Sequence, residues 1–287
     1  MSLQPNKVKC HSCGAPYKRV YGRERCPSCG SYNLGASSPE SLHTTLLDDV
    51  KDVETERIKT GPWDICFGGG IVRSTTTLLG GEPGAGKSTL SLQFADAFTE
   101  NTKREVLYLA TEETMPEVKL RAKRLQVRNG KKIRLLSTIS GNEGLSMLDK
   151  ILDTHKPLAM ILDSLSGLTG EDLQMQVEFC KLIKGYAAKL DAPALIIDHI
   201  TKDGDFAGLM QLQHAVDCCI MFTVQDSGPL KDMRTLTTRK NRHGAAHVSV
   251  DLDMTERGLV VHTKTAEELA REELENATEE DEDETDQ

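Results

Sequence analysis

No stretch of this 287-residue chain approaches the run of ~18 apolar residues that a membrane-spanning helix requires. The opening residues, MSLQPNKVKCHSCG, hold no apolar block of the kind that drives secretion. No internal repeat recurs along the chain, so a solenoid is not expected. These absences argue for a cytoplasmic protein, off the membrane, whose eight cysteines stay reduced unless a metal holds them. Apolar residues make up 38%, enough to fill a core, and the length suits one large domain with a small appendage. Negative charge is not spread evenly. Residues 265–287 carry twelve Asp/Glu and one Arg, −11 of a chain total of −9, which leaves +2 on the rest. Such a segment cannot bury enough apolar surface to offset its ordering entropy, so a disordered acidic tail is expected. It reads as a solubility tail or as a phosphate mimic that competes with nucleic acid for a basic surface.

Composition divides what remains. Residues 1–34 hold half of the cysteines and six Lys/Arg against one Glu. Residues 35–56 are small and polar, then acidic, and read as a linker. Residues 57–264 alternate apolar strands with amphipathic helical stretches. Strands are expected at 75–79, 105–110, 133–136, 158–162 and 194–197, with helices near 87–98, 115–125, 144–154 and 173–190. That alternation argues for an α/β fold with a mostly parallel sheet covered on both faces. From residue 216 the pattern changes to strands joined by tight turns, at 218–224, 234–239, 248–253 and 258–262, which reads as an antiparallel extension.

Between the first strand and helix lies Gly81-Glu82-Pro83-Gly84-Ala85-Gly86-Lys87-Ser88, followed by Thr89. It fits G-x-x-x-x-G-K-[ST] in the strand–loop–helix setting that gives the motif meaning. Glycines let backbone N–H groups curl around phosphate oxygens, and the helix N-terminus adds free N–H groups and the positive end of its dipole. Lys87 is expected to reach the β- and γ-phosphates of ATP, and Ser88 to ligate Mg2+. Asp163, after the apolar 158–162 segment, is well placed to hold the magnesium shell; a helix N-cap is the competing reading, and the two roles can coexist. Glu112 and Glu113 end the 105–110 strand, where a carboxylate could poise an attacking water. Glu112 is the first choice and Glu113 the second; helix N-terminal acids are the competing reading.

Cys10-x2-Cys13 and Cys26-x2-Cys29, twelve residues apart, have the spacing of a structural Zn2+ ribbon. Each pair is followed by a glycine, Gly14 or Gly30, which suits the left-handed turn of a zinc knuckle. Metal binding would supply about 10–16 kcal/mol of folding free energy to a segment too small for its own core. Nearby Lys7, Lys9, Lys18, Arg19, Arg23 and Arg25 could serve nucleic acid or a protein partner. Cys66, Cys180, Cys218 and Cys219 lack ligand spacing and read as buried core residues. Near the other end, RKNRHG puts Arg239, Lys240 and Arg242 within four residues on a turn between two expected strands, a dense cationic knot at a sheet edge.

The cysteine quartet, TGPWDICFGGGIVRSTTTLLGGEPGAGKSTL, VLYLATEETMPEVKLRAKRL, MILDSL, DHITKDGDFAGLMQLQHAVDCCIMF and RKNRHG occur in that order over residues 8–262. Together they resemble the bacterial RadA (Sms) proteins, which are RecA-like DNA repair ATPases. The resemblance implies a RecA-like P-loop core, hexameric rings, and work on single-stranded or branched DNA in homologous recombination, with a recombinase or helicase partner. It implies that Lys240 and Arg242, in the counterpart of the family's KNRFG, act at an ATP site between subunits or on DNA phosphates. It places Lys202, with Gly204 and Gly208, in a DNA-facing loop over residues 201–214. It places His199 where RecA-like proteins carry a nucleotide-sensing polar residue, a core histidine being the other reading. The chain departs from the family in three places. The likeness ends near Lys264, so a form without the Lon-protease-like C-terminal domain is expected, and no protease activity. The loop after Asp163 is shorter and has no Lys or Arg. His243 replaces the family's phenylalanine. Other readings are a DnaB-type replicative helicase, a non-motor ATP-switched adaptor, and a KaiC-like ATPase.

Overall fold

The computed structural model describes residues 7–9, 13, 15–18, 26, 28–29, 46–49, 55–100, 102–137, 148, 150–199, 206–225 and 231–263. Contacts divide the chain into two compact units, Met1–Glu54 and Thr55–Gln287. In the first, Lys7–Lys9 pairs antiparallel with Pro16–Lys18, with Val8 opposite Tyr17. The acidic tail, Lys202 and Cys10 lie outside the described residues.

The second unit is built in chain order from β1 (Thr76–Gly81), α1 (Lys87–Phe98), β2 (Val106–Ala110), α2 (Met115–Arg124), β3 (Ile133–Ser137) and β4 (Ala159–Asp163). There follow α3 (Leu165–Thr169), α4 (Leu173–Leu190), β5 (Ala194–His199), α5 (Phe206–Ala215), β6 (Cys218–Val224), β7 (Arg234–Asn241), β8 (Ser249–Thr255) and β9 (Gly258–Val261). Helix also covers residue 148 and residues 150–155, which takes in every described residue of the stretch expected at 144–154. The nine strands form one sheet in the order β9-β8-β7-β6-β1-β5-β4-β2-β3. From β6 to β3 neighbours run parallel; β7, β8 and β9 add antiparallel hairpins. The expected α/β architecture and its antiparallel extension are therefore both present.

Burial explains the apolar runs. Every residue of β1, β2 and β4 is buried, because helices cover both faces of the sheet. One face packs on α1, where Phe94 meets Trp63, Phe67 and Phe98 at ring-centroid distances of 6.2, 5.7 and 6.3 Å. The other packs on α4 and α5 through Phe179, Ile183 and Leu212. Local signals set the helix ends. Thr114 and Glu117 close a capping box at the start of α2, and the Asp172 carboxylate accepts from the N–H of Met175 at the start of α4.

The cationic turn follows the last residues of β7 that pair with β8. β7 as a whole lies between β6 and β8, but its pairing with β8 covers only Arg234–Thr237, so Lys240 and Asn241 pair with β6 alone and RKNRHG runs along a locally open edge. Its position separates it from the phosphate loop. β7 runs antiparallel to β6, and Asn241 faces Cys218, which faces Thr77 near the start of β1. The loop begins at Gly81, roughly 13 Å further along the strand at the opposite end of the sheet.

Candidate functional site

Parallel strands aim their carboxyl ends in one direction, and at an open α/β sheet that edge carries the ligand crevice. Register brings the expected residues to this edge. Gly81 at the end of β1 pairs with His199 at the end of β5. Asp163 at the end of β4 pairs with Ile197 on one side and Ala110 on the other, and Glu112 follows Ala110 by two residues.

The loop from Gly81 to Gly86 holds two glycines at positive φ, Gly84 at 79° and Gly86 at 104°. A Cβ on Gly81 would stand 2.3 Å from the carbonyl oxygen of Phe222, so β1 and β6 come together here only with glycine. Lys87 is buried at the first turn of α1. Its Nζ donates to the carbonyls of Gly81 and Glu82, each at 2.7 Å, and lies 3.3 Å from His199 Nδ1. Burial lowers its pKa, against the pull of Asp163 and Glu112. An ammonium group only donates, so Nδ1 is the acceptor and the ring proton sits on Nε2. That Nε2–H meets the Glu112 carboxylate at 3.0 and 3.1 Å. Lys87, His199 and Glu112 thus form one hydrogen-bonded chain.

Glu112 has a further donor in the Ser164 hydroxyl. Burial pushes its carboxyl up, but the bonds from Ser164 and His199 and the charge of Lys87 outweigh that and hold it below the usual range. Gly167 on α3 backs this arrangement: a Cβ there would stand 2.9 Å from Glu112 Cγ and 2.3 Å from Thr111 Oγ1. Glu113 turns away and forms a two-pronged ion pair with Arg121 on α2.

Ser88 Oγ donates to Asp163 Oδ1 at 3.2 Å. The other oxygen, Oδ2, accepts from Tyr108 Oη at 2.5 Å. Burial raises the Asp163 pKa and those two donors oppose the shift. A hydroxyl beside a carboxylate oxygen, next to a phosphate loop, is the hard-oxygen donor set that Mg2+ takes, so these residues fit the ion. Sequence reading passed over Tyr108, Ser91 and Ser164. The one available signal was a tyrosine in an otherwise aliphatic buried run, whose oxygen must find a partner.

The remaining expected residues lie elsewhere. Lys240 Nζ donates to the carbonyls of Gln213 at 2.6 Å and Val216 at 2.8 Å, closing the C-terminal end of α5. Arg242 is half exposed, with Nη1 3.4 Å from Asp217 Oδ1. Arg57 ties the turn to the rest of the core by donating to the carbonyls of Phe67, Gly70 and His243. In the N-terminal unit the Sγ atoms of Cys13, Cys26 and Cys29 lie within 4.8 Å of one another, Cys13 and Cys26 at 3.7 Å. Thiolates held tetrahedrally about 2.3 Å from zinc stand about 3.8 Å apart, so the cluster fits that metal. Cys66, Cys180, Cys218 and Cys219 are buried in the core, where burial pushes their thiols up to between about 11 and 12.

Residues 58–266, most of the chain, match the family described as ATPase: KaiC. The chain belongs to the KaiC ATPase family. This KaiC-family chain is also 30% identical over 277 residues to the DNA repair protein RadA of Haemophilus influenzae. It is 32% identical over 269 residues to RadA of Aquifex aeolicus and 31% over 279 residues to RadA of Escherichia coli. Each match takes in 87% of this chain and 58% of the relative, so the chain spans little more than half the length of these proteins. The crystal structure of a KaiC-like protein from Pyrococcus horikoshii OT3 superposes with a TM-score of 0.63. It covers 73% of this chain and 100% of the other at 17% identity, a likeness of fold. The KaiC and RadA readings, set against each other in the sequence, therefore coincide in the core. Among the described residues no helix is long and apolar enough to cross a membrane.

Proposed function

We propose that this chain is a magnesium-dependent ATPase of the RadA type that works on single-stranded or branched DNA in repair and recombination. The observation that carries the reading is the meeting of Lys87, Ser88, Asp163 and Glu112 at one edge of the sheet. Lys87 and the loop N–H groups hold the β- and γ-phosphates, Ser88 and Asp163 hold magnesium, and the Glu112 carboxylate orients the attacking water. Magnesium, when bound, neutralises charge on the β- and γ-oxygens. His199, bonded to both Lys87 and Glu112, is the group through which a γ-phosphate and the water-orienting carboxylate would sense each other.

The same reading divides the chain into a zinc ribbon (1–34), a linker (35–56), an ATPase domain (57–264) and an acidic tail (265–287). Subunits assemble into a hexameric ring, Lys202 faces DNA, and Arg242 faces DNA or a neighbouring nucleotide, while Lys240, with its ammonium bonded to the carbonyls of Gln213 and Val216, holds the turn in place. A recombinase or helicase is the partner class. Zinc is testable on its own: the purified chain should carry about one zinc per subunit, with Cys26→Ser losing it. A zinc-free wild-type protein with an unchanged fold would remove the ribbon from the proposal.

The deciding experiment is steady-state ATP hydrolysis with and without single-stranded DNA across protein concentration. Stimulation by DNA, with specific activity rising with concentration, is the expected result. Turnover that ignores both DNA and concentration would replace the motor with an ATP-switched adaptor.

A further inference from the structure

β2 is buried along its whole length, and Tyr108 puts a polar oxygen into the middle of it. A phenol in such a place costs free energy unless its oxygen is bonded. Tyr108 is fully buried and its Oη is bonded on two sides, to Asp163 Oδ2 at 2.5 Å and to Ser91 Oγ at 2.8 Å. Ser91 Oγ also reaches the carbonyl of Ser88 at 2.9 Å. The register makes this contact possible. Ala110 on β2 faces Asp163 on β4, so Tyr108 sits two residues back on the same face and reaches Asp163 diagonally.

Packing alone does not call for the hydroxyl, since a phenylalanine ring would fill the same space. The carboxylate does. Asp163 has two oxygens, and the phenol engages Oδ2 while Oδ1 faces Ser88. Ser91, one turn after Ser88 on α1, ties the phenol to the helix that carries the serine. Strand, helix and carboxylate are thereby fixed relative to one another by a single side chain.

We propose that Tyr108 is a positioning residue that holds Asp163 with Oδ1 turned toward Ser88, so that the pair is set to take up a divalent cation with the nucleotide. The inference rests on the magnesium–ATP reading above, and the test separates the two. The full chain and its Tyr108→Phe variant are titrated with a fluorescent ADP, once with Mg2+ and once with EDTA. The ratio of the two affinities reports how strongly cation and nucleotide support each other.

Tyr108→Phe should bind ADP in EDTA within about twofold of wild type, and its gain in affinity from Mg2+ should be about tenfold smaller, the usual scale for a lost bond to a charged group. Ser91→Ala leaves the ring and the Asp163 bond in place and should shift the gain in the same direction by less. It carries the test if the phenylalanine variant fails to fold. An unchanged Mg2+ gain in both variants overturns the inference. So does an equal fall of both affinities, which would mark Tyr108 as structural only. A wild-type protein with no Mg2+ gain at all overturns the underlying site reading instead.

Discussion

Replacing Glu112 with glutamine should lower ATP turnover by about 10²–10⁴-fold, the range for losing a positioned general base, with nucleotide binding retained. Glutamine keeps the length of the side chain and an oxygen that accepts from Ser164 and His199. It removes the negative charge. That charge is secure at neutral pH: burial opposes it, yet Ser164, His199 and Lys87 hold the carboxyl below its usual range. The variant therefore tests the charge with the packing intact. Glu113→Gln is the control. Its partner is Arg121 on α2, away from the Lys87–His199 chain, so turnover should stay within about twofold and stability should fall by no more than about 1 kcal/mol. Phosphate-release rates and fluorescent-nucleotide titrations decide between the two. An active Glu112→Gln beside an inactive Glu113→Gln would reverse the assignment.

Much of this site was legible because it is local. The P-loop is one continuous motif, and apolar runs flanked by chemistry-bearing residues marked where β1, β2, β4 and β5 end. Asp163 and Glu112 followed from that. What was not legible depends on contacts between distant segments. His199 and Glu112 stand 87 positions apart and meet only because β5 and β2, both parallel to β4, end at the same edge of the sheet. Arg57 holds the carbonyl of His243 across 186 positions. Tyr108 reads as core in the sequence because a buried ring and a buried phenol look alike until the partner is known. The strands of the antiparallel extension are legible in the sequence, but where β8 stops pairing with β7, at Thr237, is not, and that is what leaves RKNRHG at an open edge. β7 also runs to Asn241, past the expected end at residue 239, because a register shift between Cys219 and Ile220 lets pairing go on to Cys218.

The same turn carries the second large effect. Arg242→Ala should lower ATP turnover by about 10³-fold or more, the scale on which a cation supplied in trans stabilises a transferring phosphate. The fold gives two reasons to look to a neighbouring subunit. The turn lies at the end of the sheet opposite its own phosphate loop, and Arg242 is half exposed with its guanidinium beside Asp217. Asp217 does not depend on it, since Lys184 and the N–H of Thr76 also bond that carboxylate. Removing a half-exposed partner should therefore cost about 1 kcal/mol or less of stability. Lys240 differs: it closes the end of α5 on two carbonyls, so Lys240→Ala should lower the melting temperature as well as any activity, and Arg242 is the cleaner probe. Complementation then distinguishes a shared site from a simple loss. Glu112→Gln and Arg242→Ala chains should each be nearly inactive alone. Mixed in equal amounts in a head-to-tail ring, about a quarter of the interfaces would join an intact Glu112 to an intact Arg242. Activity should return on mixing in that proportion. Mixtures as inactive as the separate variants, with assembly intact, would place Arg242 on DNA or within its own subunit and not at a neighbour's nucleotide.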